Sequence, residues 1–255
     1  MTLWTRRDYA LFMTIAAQLT IIAIFIGLAV FRATGLPKRI ILVINALAAG
    51  SILYLIITTV STVGGRAAEL LQSATRGGGF IGNAWIFTAL AVVGIFAVPL
   101  ILIFVVAERR RSVIIAIAFG LFNLGLTLTY AGDVSSGLMT ATVTFVILLA
   151  VLFALEGLSI GALLMRSEPE WLFVAGLGLT AGLPALLGMN LTSVRSLDLI
   201  VPFVYAAGAG FMLFYLPFIL GAGKTSNDIK WHFIGMLSGI LLTGSLLTAL
   251  PLVAG

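Results

Sequence analysis

The chain has 255 residues, of which 61% are hydrophobic and only 9% charged, with 14 Lys or Arg against 9 Asp or Glu. Soluble domains run at about 45–50% apolar and about 25% charged, so a soluble globular protein, a disordered chain and a soluble nucleic-acid binder are excluded. The net charge of +5 belongs to loops that set membrane topology rather than to a nucleic-acid surface. With no Cys and one His, disulfides, thiolate metal sites, iron–sulfur clusters and bis-histidine haem ligation within the chain are excluded as well.

A bilayer core of about 30 Å calls for about 20 apolar residues of helix. The sequence predicts eight such spans: Ala10–Phe31, Arg39–Val63, Ala84–Val106, Ser112–Tyr130, Leu138–Met165, Trp171–Gly188, Leu199–Leu220 and Trp231–Val253. The first is too long for a cleavable signal, and no small-residue cleavage site follows it. The fourth is diluted by Asn123, Thr127 and Thr129, and the sixth is interrupted by Pro184. The connection Gly64–Asn83 is the longest, with Gly77, Gly78 and Gly79 and a short amphipathic piece at Arg66–Leu71. It reads as an external loop, mobile at its glycines. No linker separates domains, so residues 1–255 are expected to form one polytopic domain.

Basic residues punctuate the spans. Arg6, Arg7, Arg66, Arg76 and Arg195 fall on the N-terminal side. Arg32, Lys38, Arg39, Arg109, Arg110, Arg111, Arg166, Lys224 and Lys230 fall on the other. The positive-inside rule places both termini outside the cell membrane. A weak internal repeat links Leu47-Ala48-Ala49-Gly50 in the second span to Tyr205-Ala206-Ala207-Gly208 in the seventh. These spans cross in opposite directions, as an inverted repeat of spans one to three and six to eight requires. Chance is the alternative, because Ala-Ala-Gly suits any closely packed membrane helix.

Glu156 sits midway through the fifth span. A charged side chain at a helix centre costs roughly 2.5–3.5 kcal/mol on insertion scales, so such residues are functional candidates by default. A helix-joining hydrogen bond is the alternative. Ser159 shares its helix face, and Gly157 and Gly161, four apart, admit a close neighbour. Asn123, Thr127 and Tyr130 form a polar stripe on the fourth span, and Ser51, Tyr54, Thr58 and Ser61 form one on the second. Polar stripes in lipid turn inward, toward protein or water, where they line a solute path or bond helix to helix. Pro184 and Pro217 mark either broken transport helices or simple kinks. His232 beside Trp231 reads as an interfacial anchor. No lysine lies mid-helix for a retinal Schiff base, and no phosphate loop, Ser-His-Asp set or carboxylate pair supports an enzyme.

The order and spacing of several motifs resemble the ZIP (Zrt/Irt-like) metal transporter family, its prokaryotic members in particular. Asn45-Ala46-Leu47-Ala48-Ala49-Gly50 resembles the start of the family's second helix. Phe122-Asn123-Leu124-Gly125 resembles the fourth-helix motif, and Leu152 to Gly161 the fifth-helix motif of His-Asn-x-x-Glu-Gly. Gly182-Leu183-Pro184-Ala185-Leu186-Leu187-Gly188 resembles a sixth-helix stretch. The resemblance implies an all-α membrane fold of eight transmembrane helices in a three-plus-two-plus-three arrangement with an inverted repeat, both termini outside. It implies metal ligands at Asn123 and Glu156. Phe122, Leu126 and Leu152 stand where the family has His, an acidic residue and His, so the site is degraded.

The expectation is therefore a divergent ZIP-like protein of the plasma membrane, not an enzyme, moving a divalent metal or other cation past Glu156 and Asn123. Thr127, Ser159, Ser51 and Tyr54 line the path, and a divalent cation binds weakly if at all. The alternative is a non-transporting subunit of a membrane complex that keeps the fold without a metal site. Expected partners are the lipid bilayer and either a second copy or complex partners, with no nucleic acid.

Overall fold

The computed structural model describes residues 6–29, 37–76, 81–97, 100, 111–134, 139–164, 169–191, 200–221 and 229–254. All of the regular structure among them is helical: α1 (Arg6–Ala29), α2 (Lys38–Thr75), α3 (Ile81–Val92), α4 (Arg111–Val134), α5 (Met139–Leu164), α6 (Trp171–Leu191), α7 (Ile200–Gly221) and α8 (Ile229–Ala254). A single π-helical segment, Val93–Ala97, continues α3.

The expected eight crossings are corrected by helix length and composition. Among the described residues, four stretches are long and apolar enough to span a bilayer: Arg39–Thr75, Val146–Leu164, Trp171–Gly188 and Ile229–Ala249. The apolar stretches of the other helices, Gln18–Ala29, Trp85–Phe96, Ser112–Leu128 and Phe203–Leu213, have 10–17 residues. Even 17 residues of helix rise only about 25 Å, short of a core of about 30 Å. The eight-crossing ZIP-like three-plus-two-plus-three arrangement with its inverted repeat is overturned on this ground. The two Ala-Ala-Gly segments have separate local explanations. Gly50 lies against the Met236 carbonyl of α8, whereas Gly208 lies against Ala118 and Phe122 of α4. Each packs closely, and with a different partner.

The expected loop from Gly64 is also corrected. Helix α2 continues without a break through Gly64 and Gly65 and takes in the amphipathic piece Arg66–Leu71. Glycine in a helix costs about 1 kcal/mol relative to Ala, but the following Arg66-Ala67-Ala68-Glu69-Leu70-Leu71-Gln72 is rich in strong helix formers. An exposed Arg66–Glu69 pair at 2.9 Å adds a little support. The helix ends where the Arg76 amide donates to the Gln72 carbonyl. Its 38 residues rise about 57 Å, nearly twice the hydrocarbon thickness, so one end projects well beyond the apolar core. The glycines at 77–79 lie outside the described residues.

Helix α5 is the axis of the bundle. It packs against α1, α2, α4 and α8, and 61% of its span is buried, the highest share of the four spans. Helix α4 packs on α6 and α7, and α2 packs on α8 and α7. The α1–α5 crossing is close enough for backbones to touch. A Cβ on Gly157 would strike the Ile24 carbonyl, and one on Gly27 would strike the Ala154 carbonyl. Outward faces carry apolar stripes at helical spacing: Ile22 and Ile26 on α1, Leu183 and Leu187 on α6, Ile234, Leu237 and Leu241 on α8. A water-soluble bundle turns polar side chains outward. An apolar exterior around an apolar core is that of a multi-pass, membrane-spanning helical protein.

Candidate functional site: a buried Asn–Glu pair

Helix α4 brings Asn123 to the centre of the bundle because its neighbours on α6 let it come close. Pro184 has no amide hydrogen, so the Thr180 carbonyl one turn back loses its helical partner. That oxygen lies 2.5 Å from the point where a Cβ on Gly120 would be, and the Pro184 ring lies 3.1 Å from it. Only a glycine at position 120 permits this approach. Helix α6 itself is continuous through Pro184, so the expected break is absent. The backbone of α7 is likewise helical through position 217.

The approach places Asn123 between two helices. Its Nδ2 donates to Glu156 Oε2 of α5 at 2.6 Å and to the Ala181 carbonyl of α6 at 3.1 Å. Both amide hydrogens are thereby used. Asn123 is fully buried and Glu156 is 1% exposed. The pair is 33 residues apart in sequence and ties three helices through one side chain. Glu156 Oε1 and Asn123 Oδ1 are left buried without a hydrogen-bond partner. Two unpartnered oxygens on a hydrogen-bonded pair of side chains mark a place where a donor or a cation is electrostatically welcome.

The remaining expected residues divide into two groups. Thr127 and Ser159 are buried near the pair, but each hydroxyl donates to its own helix: Thr127 to the Asn123 carbonyl at 2.7 Å and Ser159 to the Leu155 carbonyl at 2.9 Å. Such back-bonding satisfies the hydroxyl proton without joining helices. Ser51 and Tyr54 belong to a different interface, α2 against α8. Ser51 is buried beside Gly239 and its Oγ has no partner, while Tyr54 is half-buried with its ring against Gly244. The α2 stripe winds outward along the helix, so that Ser61 is exposed. The side chain of Tyr130 lies outside the described residues.

The positions where the resemblance to the ZIP family led one to expect further ligands are apolar and enclosed. Leu126 and Leu152 are buried. Phe122 turns away to meet Tyr205 of α7 edge-on, with ring centroids 5.5 Å apart. Among the described residues there is no group of three or more His, Cys, Asp or Glu that could hold a metal. A hydrated divalent ion bound by protein takes four to eight ligands. Two free oxygens are a poor replacement, and the donor set does not fit tight zinc binding.

Some polar groups escape a reading of the sequence. The Ala181 carbonyl is a backbone acceptor, with no side chain to signal it in the sequence. Thr59 and Thr243 are buried with unpartnered hydroxyls. Thr243 stands between Gly239 and Gly244, small residues that mark a buried face, and that pattern was available in the sequence. The chain is a helical, membrane-spanning protein with an Asn–Glu interaction at its centre. No protein-family model matches the chain, and neither does any curated protein.

Proposed function

We propose that the protein moves a weakly held cation across the plasma membrane along a path past Asn123 and Glu156, as a divergent relative of the ZIP transporters. The observation that carries this reading is the pair of buried, unpartnered oxygens, Glu156 Oε1 and Asn123 Oδ1. Ionisable groups inside a membrane protein are expensive and tend to be retained for a pathway. Glu156 is the anionic contact, Asn123 Oδ1 a neutral ligand, and Thr127 and Ser159 hydroxyl oxygens lie a turn away. The enclosure of the pair describes a closed state. Passage requires the bond between α4 and α5 to open, and rocking of one helix group on another accomplishes this in transporters generally.

A second reading has an observation of its own. Phe122, Leu126 and Leu152 fill ligand positions with enclosed hydrocarbon, as expected of a subunit that kept the helix packing and lost the metal. Uptake of a panel of monovalent and divalent cations into proteoliposomes separates the two. Glu156→Gln abolishes uptake if the carboxylate is on the path. Unchanged uptake removes Glu156 from the mechanism. Absence of uptake by the wild-type chain, together with stable co-purification of partner proteins in mild detergent, establishes the subunit.

A further inference from the structure

The starts of α2 and α8 lie side by side. Residue numbers climb together along the two helices. A Cβ on Gly235 would lie 2.6 Å from the Val43 carbonyl, one on Gly50 would lie 3.0 Å from the Met236 Cα, one on Gly239 would lie 2.9 Å from the Ser51 amide nitrogen, and one on Gly244 would lie 3.0 Å from the Tyr54 ring. The helices are parallel, and one turn before the Val43–Gly235 contact Arg39 stands level with Trp231. Arg39, Lys230 and Trp231 are exposed, and Lys38 is the first residue of α2. His232 is half-buried, with its Nδ1 enclosed and unpartnered. Neither helix has an acidic residue in its first turn. Asp228, just before α8, lies outside the described residues.

We infer that this corner binds the headgroup of an anionic phospholipid. The charge is complementary: Arg39 and Lys230 offer N–H donors to phosphate oxygens. The surface below the charges is complementary to a lipid tail rather than to a free phosphate. From Trp231 an exposed apolar stripe descends α8 through Ile234, Leu237 and Leu241, and Ile40 is exposed on α2. A cationic corner above a greasy wall, with a tryptophan at the junction, matches an amphiphile at the membrane interface. Lys38, Arg39 and Lys230 at these two helix starts are the kind of basic residues that the positive-inside rule favours on the cytoplasmic side, where anionic lipids concentrate.

The test uses the purified full-length chain in mild detergent, titrated with phosphatidylglycerol or phosphatidylcholine and followed by native mass spectrometry and thermal unfolding. Phosphatidylglycerol binds in preference and raises Tm. A surface-proximal basic residue contributes about fivefold in affinity, so Arg39→Gln with Lys230→Gln weakens phosphatidylglycerol binding about 25-fold. Arg66→Gln, at the far end of α2, leaves it unchanged. Equal binding of the two lipids, undiminished binding by the double variant, an equal loss in Arg66→Gln, or full displacement of the lipid by inorganic phosphate overturns the inference.

Discussion

Replacing Asn123 by Ala tests the clamp directly. The substitution removes two interhelical hydrogen bonds, at 2.6 Å to Glu156 and 3.1 Å to the Ala181 carbonyl. Interhelical bonds in membrane proteins average about 0.6 kcal/mol and reach about 1.7, so two of them account for roughly 1–3 kcal/mol. A contribution of similar size comes from what is left behind. Glu156 then has neither oxygen paired, and an abandoned buried polar group costs about 1–3 kcal/mol. The expected loss is about 2–6 kcal/mol. Glu156→Gln keeps an acceptor for Asn123 Nδ2 at the same reach and changes stability by less than about 1 kcal/mol.

The assay is unfolding of the purified chain in mixed micelles of rising denaturing-detergent content, followed by far-ultraviolet circular dichroism. A double-mutant cycle with Glu156→Ala isolates the pairwise contribution, with an expected coupling of about 0.6–1.7 kcal/mol. A loss below about 0.5 kcal/mol for Asn123→Ala, or a coupling indistinguishable from zero, refutes the claim that this side chain ties the helices.

Two further predictions address the corrected helix and the degraded site. A Cβ at Gly64 or Gly65 meets nothing within 4 Å, so Ala at both positions stabilises α2 by up to about 2 kcal/mol. Hydrogen exchange of the amides from Arg66 to Thr75 then slows by more than about tenfold, whereas exchange that is unaltered restores the loop expected from sequence. Leu152 is buried one turn before Glu156 on the same helix face, so Leu152→His adds an imidazole beside the carboxyl group. Zinc at 100 times its Kd stabilises such a variant by about 2.7 kcal/mol and leaves the wild-type chain unmoved. A Tm insensitive to zinc in the variant refutes the placement of position 152 within ligand reach of Glu156.

The buried pair was legible because it stood out chemically. In spans made largely of Ala, Leu, Ile, Val and Gly, a carboxyl group at 156 and an amide at 123 are the side chains with most to lose in lipid, and their mutual solution is hydrogen bonding. The partner on α6 was not legible, since a carbonyl has no letter of its own. Hydroxyl roles were equally hidden: Thr127 and Ser159 share faces with Asn123 and Glu156, yet back-bonding within one helix is as compatible with that spacing as contact across helices. The extent of α2 was misjudged because Gly64-Gly65 resembles a helix stop. Strong helix formers from Arg66 to Gln72 outweigh it. The π segment at Val93–Ala97 left no trace beyond Gly94, where a Cβ would lie 3.1 Å from the Phe203 carbonyl. Helix positions were read well from apolar run length, but the inference from helix to bilayer crossing demanded more continuous apolar residues than four of the helices provide.

The apolar replacements around Glu156 bear on what the carboxyl group can do. Position 122 is occupied by a ring that stacks edge-on against Tyr205, and Gly125, one turn along, gives that tyrosine ring room at 2.9 Å from its own would-be Cβ. Phe122, Gly125 and Tyr205 therefore form a packed unit between α4 and α7, so placing His at 122 alone would disrupt a contact before it offered a ligand. Position 152 differs: it lies on the face of α5 that carries Glu156. The two apolar departures are thus unequal, one built into helix packing and the other merely filling space next to the acid. With hydrocarbon on these sides, an ion reaching Glu156 finds few oxygens to replace its water, and the attraction between carboxylate and cation must supply most of the binding. Such a centre favours a singly charged or loosely held ion over one that surrenders a full hydration shell. On the proposed transport path, the Asn123 bond is then the competitor for Glu156, so that opening the α4–α5 link and admitting a cation would be two descriptions of one exchange.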